Sequence, residues 1–144
     1  MKIFLDTSDI NEIRELESKV DGFTTNPTLM KKAGVQDYEK FAKEVLSITK
    51  KPVSFEVFSD EFDEMKAQAR KIADWGKNVY VKIPIFNTKG KRSDALITNL
   101  SMEGIKVNVT AITQEKFKFT FLSPAIVSNF AGRIADTGRD PAKW

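Results

Sequence analysis

The sequence lacks two residue types entirely, because it contains no cysteine and no histidine among its 144 residues. Their absence excludes disulfide bonds, Cys/His zinc sites, thiolate nucleophiles and the Ser-His or Cys-His pairs of many hydrolases. Long hydrophobic runs are missing too, since no apolar stretch approaches the roughly 20 residues of a membrane span. Any catalysis must therefore use lysine, carboxylate or hydroxyl groups, and we expect no membrane association.

The charge balance points to a small-molecule partner rather than to nucleic acid. The chain carries 23 basic and 20 acidic residues, with a net charge of +3 spread along its length. Such a weak, scattered excess is not the basic patch of a nucleic-acid-binding protein. Asp6 interrupts the N-terminal apolar segment too early for a signal peptide, so we expect a cytoplasmic protein. The composition favours one globular domain over residues 1–144.

Short apolar strands alternate with amphipathic helices along the whole chain, which predicts an α/β fold with a parallel sheet. Gly76 and Gly104 are expected to end the helices that precede them. Residues 113–123 instead carry phenylalanines in strand-like alternation, in a connection barely long enough for a crossover helix. The predicted strands cover residues 3–5, 22–25, 53–58, 79–83, 105–111 and 124–130, and the predicted helices cover 10–20, the turn after 26, 38–48, 61–75 and 95–102.

Polar residues stand at or near the C-terminal end of every predicted strand, where α/β folds collect their chemistry. Lys82 lies between Val81 and Ile83, and burial in such an apolar strand would lower its pKa until the neutral amine can attack a carbonyl. Alternatively, Lys82 lies on an edge strand or extends to solvent. The full set of strand-end residues is Asp6, Thr25, Asn26, Glu56, Lys82, Asn108, Thr110 and Ser128.

Several of these residues also have ordinary structural explanations. Asp6 could cap the first helix, although residues 7–9 supply three further capping side chains. Glu56 could pair with a neighbouring lysine. Arg133 could bind a phosphate through two N–H donors or form a surface salt bridge. The basic loop at 88–92 is interpreted as a solvated surface.

Five segments in order resemble hallmark segments of the transaldolase family, the group of small transaldolase-like proteins that includes the fructose-6-phosphate aldolases. The resemblance implies a TIM (β/α)₈ barrel, with about six of the eight βα units present in this chain. It implies no metal and no cofactor. The segments are Phe4-Leu5-Asp6-Thr7, Thr24-Thr25-Asn26-Pro27, Val81-Lys82-Ile83-Pro84, Asn108-Val109-Thr110-Ala111 and Gly132-Arg133-Ile134.

The same resemblance implies a role for each matching residue. Lys82 would form the imine with the substrate, and Asp6 would remove the C4 hydroxyl proton during cleavage. Glu56 and Thr110 would hold the water that moves protons. The residues implied to bind substrate are Thr25, Asn26, Asn108 and Ser128 for the dihydroxyacetone hydroxyls, Phe130 beside them, and Arg133 for the phosphate.

Glu56 and Phe130 resemble the transaldolase branch, because the aldolases have glutamine and tyrosine at those positions. The implied activity is transfer of dihydroxyacetone from sedoheptulose 7-phosphate to glyceraldehyde 3-phosphate, giving erythrose 4-phosphate and fructose 6-phosphate in the pentose phosphate pathway. Simple aldol cleavage is the first alternative. A truncated barrel that binds sugar phosphate without turnover is the second.

The length departs from the family, since a complete barrel usually needs at least ~200 residues. The resemblance implies that strands seven and eight, part of the phosphate site and a C-terminal helix are missing from this chain. An open sheet would expose its edges and apolar interior. We therefore expect a fragment, a barrel closed by partner subunits in a homo-oligomer, or a chain without activity.

Overall fold

A computed structural model of the chain describes residues 2–110, which form a sheet of five parallel strands with helices between them. The strands are adjacent in chain order, β1-β2-β3-β4-β5, as in a β/α barrel. The elements are β1 (Phe4–Asp6), α1 (Ile10–Leu16), a 3-10 turn (Glu17–Lys19), β2 (Gly22–Thr24), α2 (Pro27–Lys32), α3 (Tyr38–Ile48), β3 (Val53–Glu56), α4 (Phe62–Ala73), β4 (Val79–Pro84), α5 (Asp94–Met102) and β5 (Val107–Thr110).

The predicted α/β class and parallel pairing are confirmed for these residues. The predicted sixth strand at 124–130 and the phenylalanine-rich segment at 113–123 lie outside the described residues. Within residues 2–110, no helix combines the length and apolar character needed to cross a bilayer.

Side-chain caps begin the first three helices. The Asp9 carboxylate caps α1 by accepting from the amide of Asn11 at 2.8 Å, so the N-cap is Asp9 and not Asp6. Asn26 caps α2 by accepting from the Leu29 amide at 2.9 Å, with proline at the first helical position. Asp37 caps α3 in the same way. Because Asp6 does not cap α1, its carboxylate can make other contacts.

Two predicted helix ends are wrong. The first helix was expected to reach Val20, but α1 ends at Leu16 and tightens into a 3-10 turn. The Lys51 ammonium donates to the carbonyls of Glu17 and Val20 at this turn. The α4 helix ends at Ala73 rather than at the predicted Trp75. Its last turn tightens as well, because the Trp75 amide bonds to the carbonyl three residues earlier.

The two faces of the sheet differ in chemistry. Alternate residues of β3 and β4 are apolar and buried against the helices: Val53, Phe55, Val79, Val81 and Ile83. The residues between them point to the opposite, inner face and are Ser54 and Glu56 on β3, and Tyr80 and Lys82 on β4. Because side chains alternate along a strand, burying the apolar set directs the polar set to the inner face.

Because Gly22 has no side chain, the Phe4 ring and the Pro52 carbonyl can lie close to the backbone of β2. A Cβ atom there would lie 2.4 Å from Cε1 of Phe4 and 2.6 Å from the carbonyl oxygen of Pro52. The ring can turn away, but that carbonyl is held by a 2.8 Å bond from the Phe23 amide. We therefore expect Gly22→Ala to lower the free energy of unfolding by about 2–3 kcal/mol in urea denaturation.

Gly34→Ala is the matched control. Its φ of +73° strains any side chain, but no atom lies within 4 Å of the added methyl group, so we expect a loss of about 1 kcal/mol. Equal losses for the two variants would contradict the packing role of Gly22.

Candidate active site

The register of the parallel sheet aligns three of the predicted site residues in one row. Glu56 of β3 pairs with Lys82 of β4, and Lys82 pairs with Asn108 of β5. Paired residues of parallel strands point to the same face, so these side chains lie side by side on the inner face. Thr110 lies two residues further along β5, in register with Pro84.

Lys82 lies in the interior of the described sheet, because β4 is flanked by β3 and β5. Its side chain is 12% exposed. The ammonium nitrogen lies 3.4 Å from Oε2 of Glu56 and donates to the Thr25 carbonyl oxygen at 3.3 Å. The alternatives of an edge-strand lysine and a side chain extended into solvent are therefore wrong.

Glu56 is the acidic neighbour of this lysine and is itself 2% exposed. The prediction that it could pair with a lysine is confirmed, and the partner is Lys82. Its backbone is also bonded, since its carbonyl oxygen accepts from the Tyr38 hydroxyl at 3.0 Å. A buried carboxylate beside a buried amine is an arrangement that can exchange a proton over a short distance.

Asp6 and Lys82 shift each other's proton affinity. Burial lowers the pKa of Lys82 below its usual range, and the charge of Asp6 opposes that shift. Burial raises the pKa of Asp6, while Lys82 and the hydrogen bond from Asn26 oppose the rise. In both cases desolvation is the largest cause and favours the neutral form. The neutral amine is the form that attacks carbonyl carbon.

Asn26 connects the start of α2 to Asp6. Its Nδ2 donates to the two carboxylate oxygens of Asp6 at 3.2 and 3.4 Å, and its Oδ1 accepts the capping bond from Leu29. Because the cap fixes the side-chain amide, the donor end of Asn26 is held toward Asp6. The helix cap therefore orients an acidic side chain of the site.

Ser54 links two more predicted site residues and was missed in the sequence. The Thr25 hydroxyl donates to the Ser54 carbonyl at 3.1 Å, and Nδ2 of Asn108 donates to the Ser54 hydroxyl at 3.1 Å. The signal was present, because a serine two residues before Glu56 in the same strand must share its face. The Thr25 hydroxyl is thus already engaged by the backbone of β3.

A family comparison covers nearly the whole chain. The family model described as Transaldolase/Fructose-6-phosphate aldolase matches residues 3–143 of this chain. The chain belongs to this family. The resemblance that the five sequence segments indicated is thereby confirmed.

Individual relatives in this family agree with the match. The chain is 43% identical over 149 aligned residues to a "Probable transaldolase" of Streptococcus agalactiae and 41% identical over 149 to a "Probable transaldolase 2" of Listeria monocytogenes. It is 40% identical over 144 residues to a "Probable transaldolase" of Methanococcus maripaludis. Each match covers 97% of this chain, but 65%, 64% and 65% of the respective relative. The chain therefore spans somewhat less than two thirds of the length of these transaldolase relatives.

The fold brings most of the transaldolase-like residues to one end of the sheet. Ser128, Phe130 and Arg133 lie outside the described residues. Between residues 2 and 110 there is no group of three or more acidic side chains that could hold a metal ion. The residues that converge are Asp6, Thr25, Asn26, Glu56, Lys82, Asn108 and Thr110.

The lowered pKa of Lys82 has a consequence for stability. Between its pKa in the folded chain and the ordinary value of 10.5, the unfolded chain binds more protons at this residue than the folded chain does. The contribution of Lys82 to the free energy of unfolding therefore rises with pH across that interval. We expect the difference in unfolding free energy, wild type minus Lys82→Met, to increase as the pH rises toward the ordinary pKa of 10.5.

Urea denaturation at a series of pH values measures this difference. A difference that stays constant or falls as the pH rises would contradict the lowered pKa of Lys82.

Proposed function

We propose that the chain carries the imine-forming part of a transaldolase, with Lys82 as the nucleophile that transfers a dihydroxyacetone unit between sugar phosphates. The observation that carries this proposal is the buried Lys82 amine in the interior of the described sheet, 3.4 Å from the Glu56 carboxylate. Burial lowers the pKa of this amine, and the charge of Asp6 opposes the shift. Membership of the Transaldolase/Fructose-6-phosphate aldolase family supports it.

Imine formation is the first step. The neutral Lys82 amine attacks the C2 carbonyl of a ketose phosphate, and the new C–N bond forms as the carbonyl electrons move to oxygen. Glu56 takes a proton from the attached nitrogen and passes it to the alkoxide oxygen, which becomes a hydroxyl. A second proton, taken from solvent through the same carboxylate, lets this hydroxyl depart as water while the nitrogen lone pair forms the C=N bond of a protonated imine. In this proposal Thr110, on the same face of the neighbouring strand, helps to hold that water.

Carbon–carbon cleavage is the second step. Asp6 removes the C4 hydroxyl proton, the C3–C4 bond breaks, and its electron pair moves into the imine to give an enamine. The aldose leaves with its new carbonyl group. The raised pKa of Asp6 makes this carboxylate a stronger base than an ordinary aspartate, and Asn26 keeps it in place.

Transfer rather than release is favoured by Phe130, which has no hydroxyl to protonate the bound enamine. The enamine therefore persists until a second aldose binds, and carbon–carbon bond formation and imine hydrolysis then follow as the reverse of the two steps above. We further propose that Asn26, Asn108 and Ser128 bind the dihydroxyacetone hydroxyls, with Thr25 at the same strand end. Arg133 would bind the phosphate. The assignments of residues 128, 130 and 133 rest on the sequence match.

Trapping with borohydride tests this proposal in the wild-type chain. Incubation with fructose 6-phosphate and borohydride should add the mass of a reduced dihydroxyacetone unit to the peptide that contains Lys82. Release of glyceraldehyde 3-phosphate should continue beyond one turnover only when erythrose 4-phosphate is added as acceptor. Free dihydroxyacetone formed without an acceptor would instead support aldol cleavage, and a folded chain that acquires no adduct would overturn the imine mechanism.

The assembly and setting of the protein are proposals of the same kind. We propose that the chain acts as a homo-oligomer in the cytoplasm and serves the pentose phosphate pathway through these substrates. Sedimentation of the chain tests the oligomeric state directly, and a stable monomer would count against closure of the barrel by partner subunits.

A further inference from the structure

Tyr38 joins an aromatic cluster to the end of β3. Its ring makes edge-to-face contacts with Phe55, Phe58 and Trp75, at centroid distances of 6.0, 4.7 and 5.0 Å. Its hydroxyl donates to the carbonyl oxygen of Glu56 at 3.0 Å. The packed ring fixes where the hydroxyl can reach, so this contact is a defined feature of the fold.

The ladder between β2 and β3 supplies no amide to the Glu56 carbonyl, because it runs out at this point. The amides of Phe23 and Thr25 donate to the carbonyls of residues 52 and 54, at 2.8 and 3.0 Å. Continued by two residues, the same pattern would bring the nitrogen of residue 27 to the carbonyl of Glu56. Residue 27 is proline and has no N–H to give. The Tyr38 hydroxyl supplies the donor that the strand cannot.

The contact is placed where small movements of the backbone matter. Glu56 carries the carboxylate that lies 3.4 Å from the Lys82 ammonium nitrogen. A shift of the Glu56 backbone would move this carboxylate relative to the amine. Burial raises the pKa of Tyr38 far above its usual value, and a hydrogen bond with the Thr25 side chain opposes the rise, so the hydroxyl is protonated at neutral pH.

We propose that Tyr38 is a positioning residue of the active site: its hydroxyl holds the end of β3 and thereby directs the Glu56 carboxylate toward Lys82. This inference rests on the proposed function, because it assigns to Tyr38 a part in the proton transfers of imine formation. In this proposal Tyr38 acts through Glu56 and not on the reacting atoms.

Tyr38→Phe tests the inference, because it removes the hydroxyl and keeps the ring of the cluster. A misplaced catalytic group can reduce a rate by roughly 100-fold, so we expect kcat for transfer to fall about 10- to 100-fold while KM stays within about twofold. Tyr80→Phe is the matched control, since Tyr80 is the only other tyrosine of the chain and lies on β4 two residues before Lys82. It should keep wild-type kcat.

A second readout needs no substrate turnover. Reductive methylation with formaldehyde and cyanoborohydride, followed by peptide mass spectrometry, reports the pH at which the Lys82 amine becomes reactive. Asp6 and Glu56 are the acidic groups that face this amine. When Glu56 is no longer held against it, the protonated amine loses a stabilising charge, so the midpoint should move to lower pH in Tyr38→Phe and stay unchanged in Tyr80→Phe.

The outcomes separate the two proposals. An unchanged kcat together with an unchanged methylation midpoint in Tyr38→Phe would overturn the positioning role. An increase in KM that matches the fall in kcat, without a shift of the midpoint, would also overturn it, since that pattern indicates general loosening. If wild type forms no adduct with fructose 6-phosphate, the proposed function fails, and a shifted midpoint would still support the control of Glu56 by Tyr38.

Discussion

Lys82→Met should form no borohydride-stable adduct at position 82 and should lose transfer activity by about 10⁴-fold or more, because methionine has no amine to form the imine. Its neighbours in the row of paired strand residues are Glu56 and Asn108, and neither has an amine that could form the imine instead. Methionine has nearly the same length as lysine and suits the apolar strand around it. Peptide mass spectrometry after trapping, together with the coupled transfer assay, measures both effects.

Lys106→Met is the matched control for this substitution. Lys106 immediately precedes β5, and its exposed ammonium donates to the Lys77 carbonyl at 2.6 Å. The control should keep wild-type adduct formation and activity. Circular dichroism must show that both variants are folded, because Lys82→Met leaves the buried Glu56 without its basic partner. An adduct of equal yield in folded Lys82→Met would show that the nucleophile is another residue.

The sequence was sufficient to predict which residues meet at the end of the sheet. Alternation along short apolar strands assigns Glu56, Lys82 and Asn108 to one face, and the parallel order of the strands brings their ends together. These are properties of local pattern and of the fold class. They need no knowledge of how individual helices pack.

Contacts between distant segments could not be predicted in the same way. In the sequence Tyr38 only begins the helix predicted over residues 38–48, and nothing in that segment indicates that its hydroxyl reaches a carbonyl 18 residues later. The early end of α1 likewise depends on Lys51, which comes from the connection before β3. Both outcomes are set by tertiary packing, which overrides the local signal.

The position of Asp6 illustrates how one contact can exclude a structural explanation. From the sequence, Asp6 could cap a helix or serve in catalysis. The structure gives the cap to Asp9 and places the amide of Asn26 against the Asp6 carboxylate. The charge of Asp6 also raises the pKa of Lys82, against the lowering caused by burial. The structure thus excludes the helix cap as the role of Asp6, and its part in proton transfer stays a prediction.

Asp6→Asn should separate imine formation from carbon–carbon cleavage. Glu56 and Lys82 remain in this variant, so the imine with fructose 6-phosphate should still form, whereas removal of the C4 hydroxyl proton loses its base. General base catalysis contributes about 10²–10⁴-fold, and we expect transfer to slow by that factor. Borohydride should therefore trap the uncleaved six-carbon sugar phosphate on Lys82, in place of the three-carbon unit found in wild type. Intact-protein mass spectrometry distinguishes the two adducts.

Asp9→Asn is the control, because it makes the same change of charge three residues away and asparagine caps helices about as well as aspartate. It should keep wild-type transfer and the three-carbon adduct. The Asn26 amide can still donate to the side-chain oxygen of asparagine at position 6, so the geometry that now holds Asp6 should persist in Asp6→Asn. A three-carbon adduct formed by Asp6→Asn at the wild-type rate would show that another group removes the C4 proton, and Asp6 would then act only through its charge on Lys82.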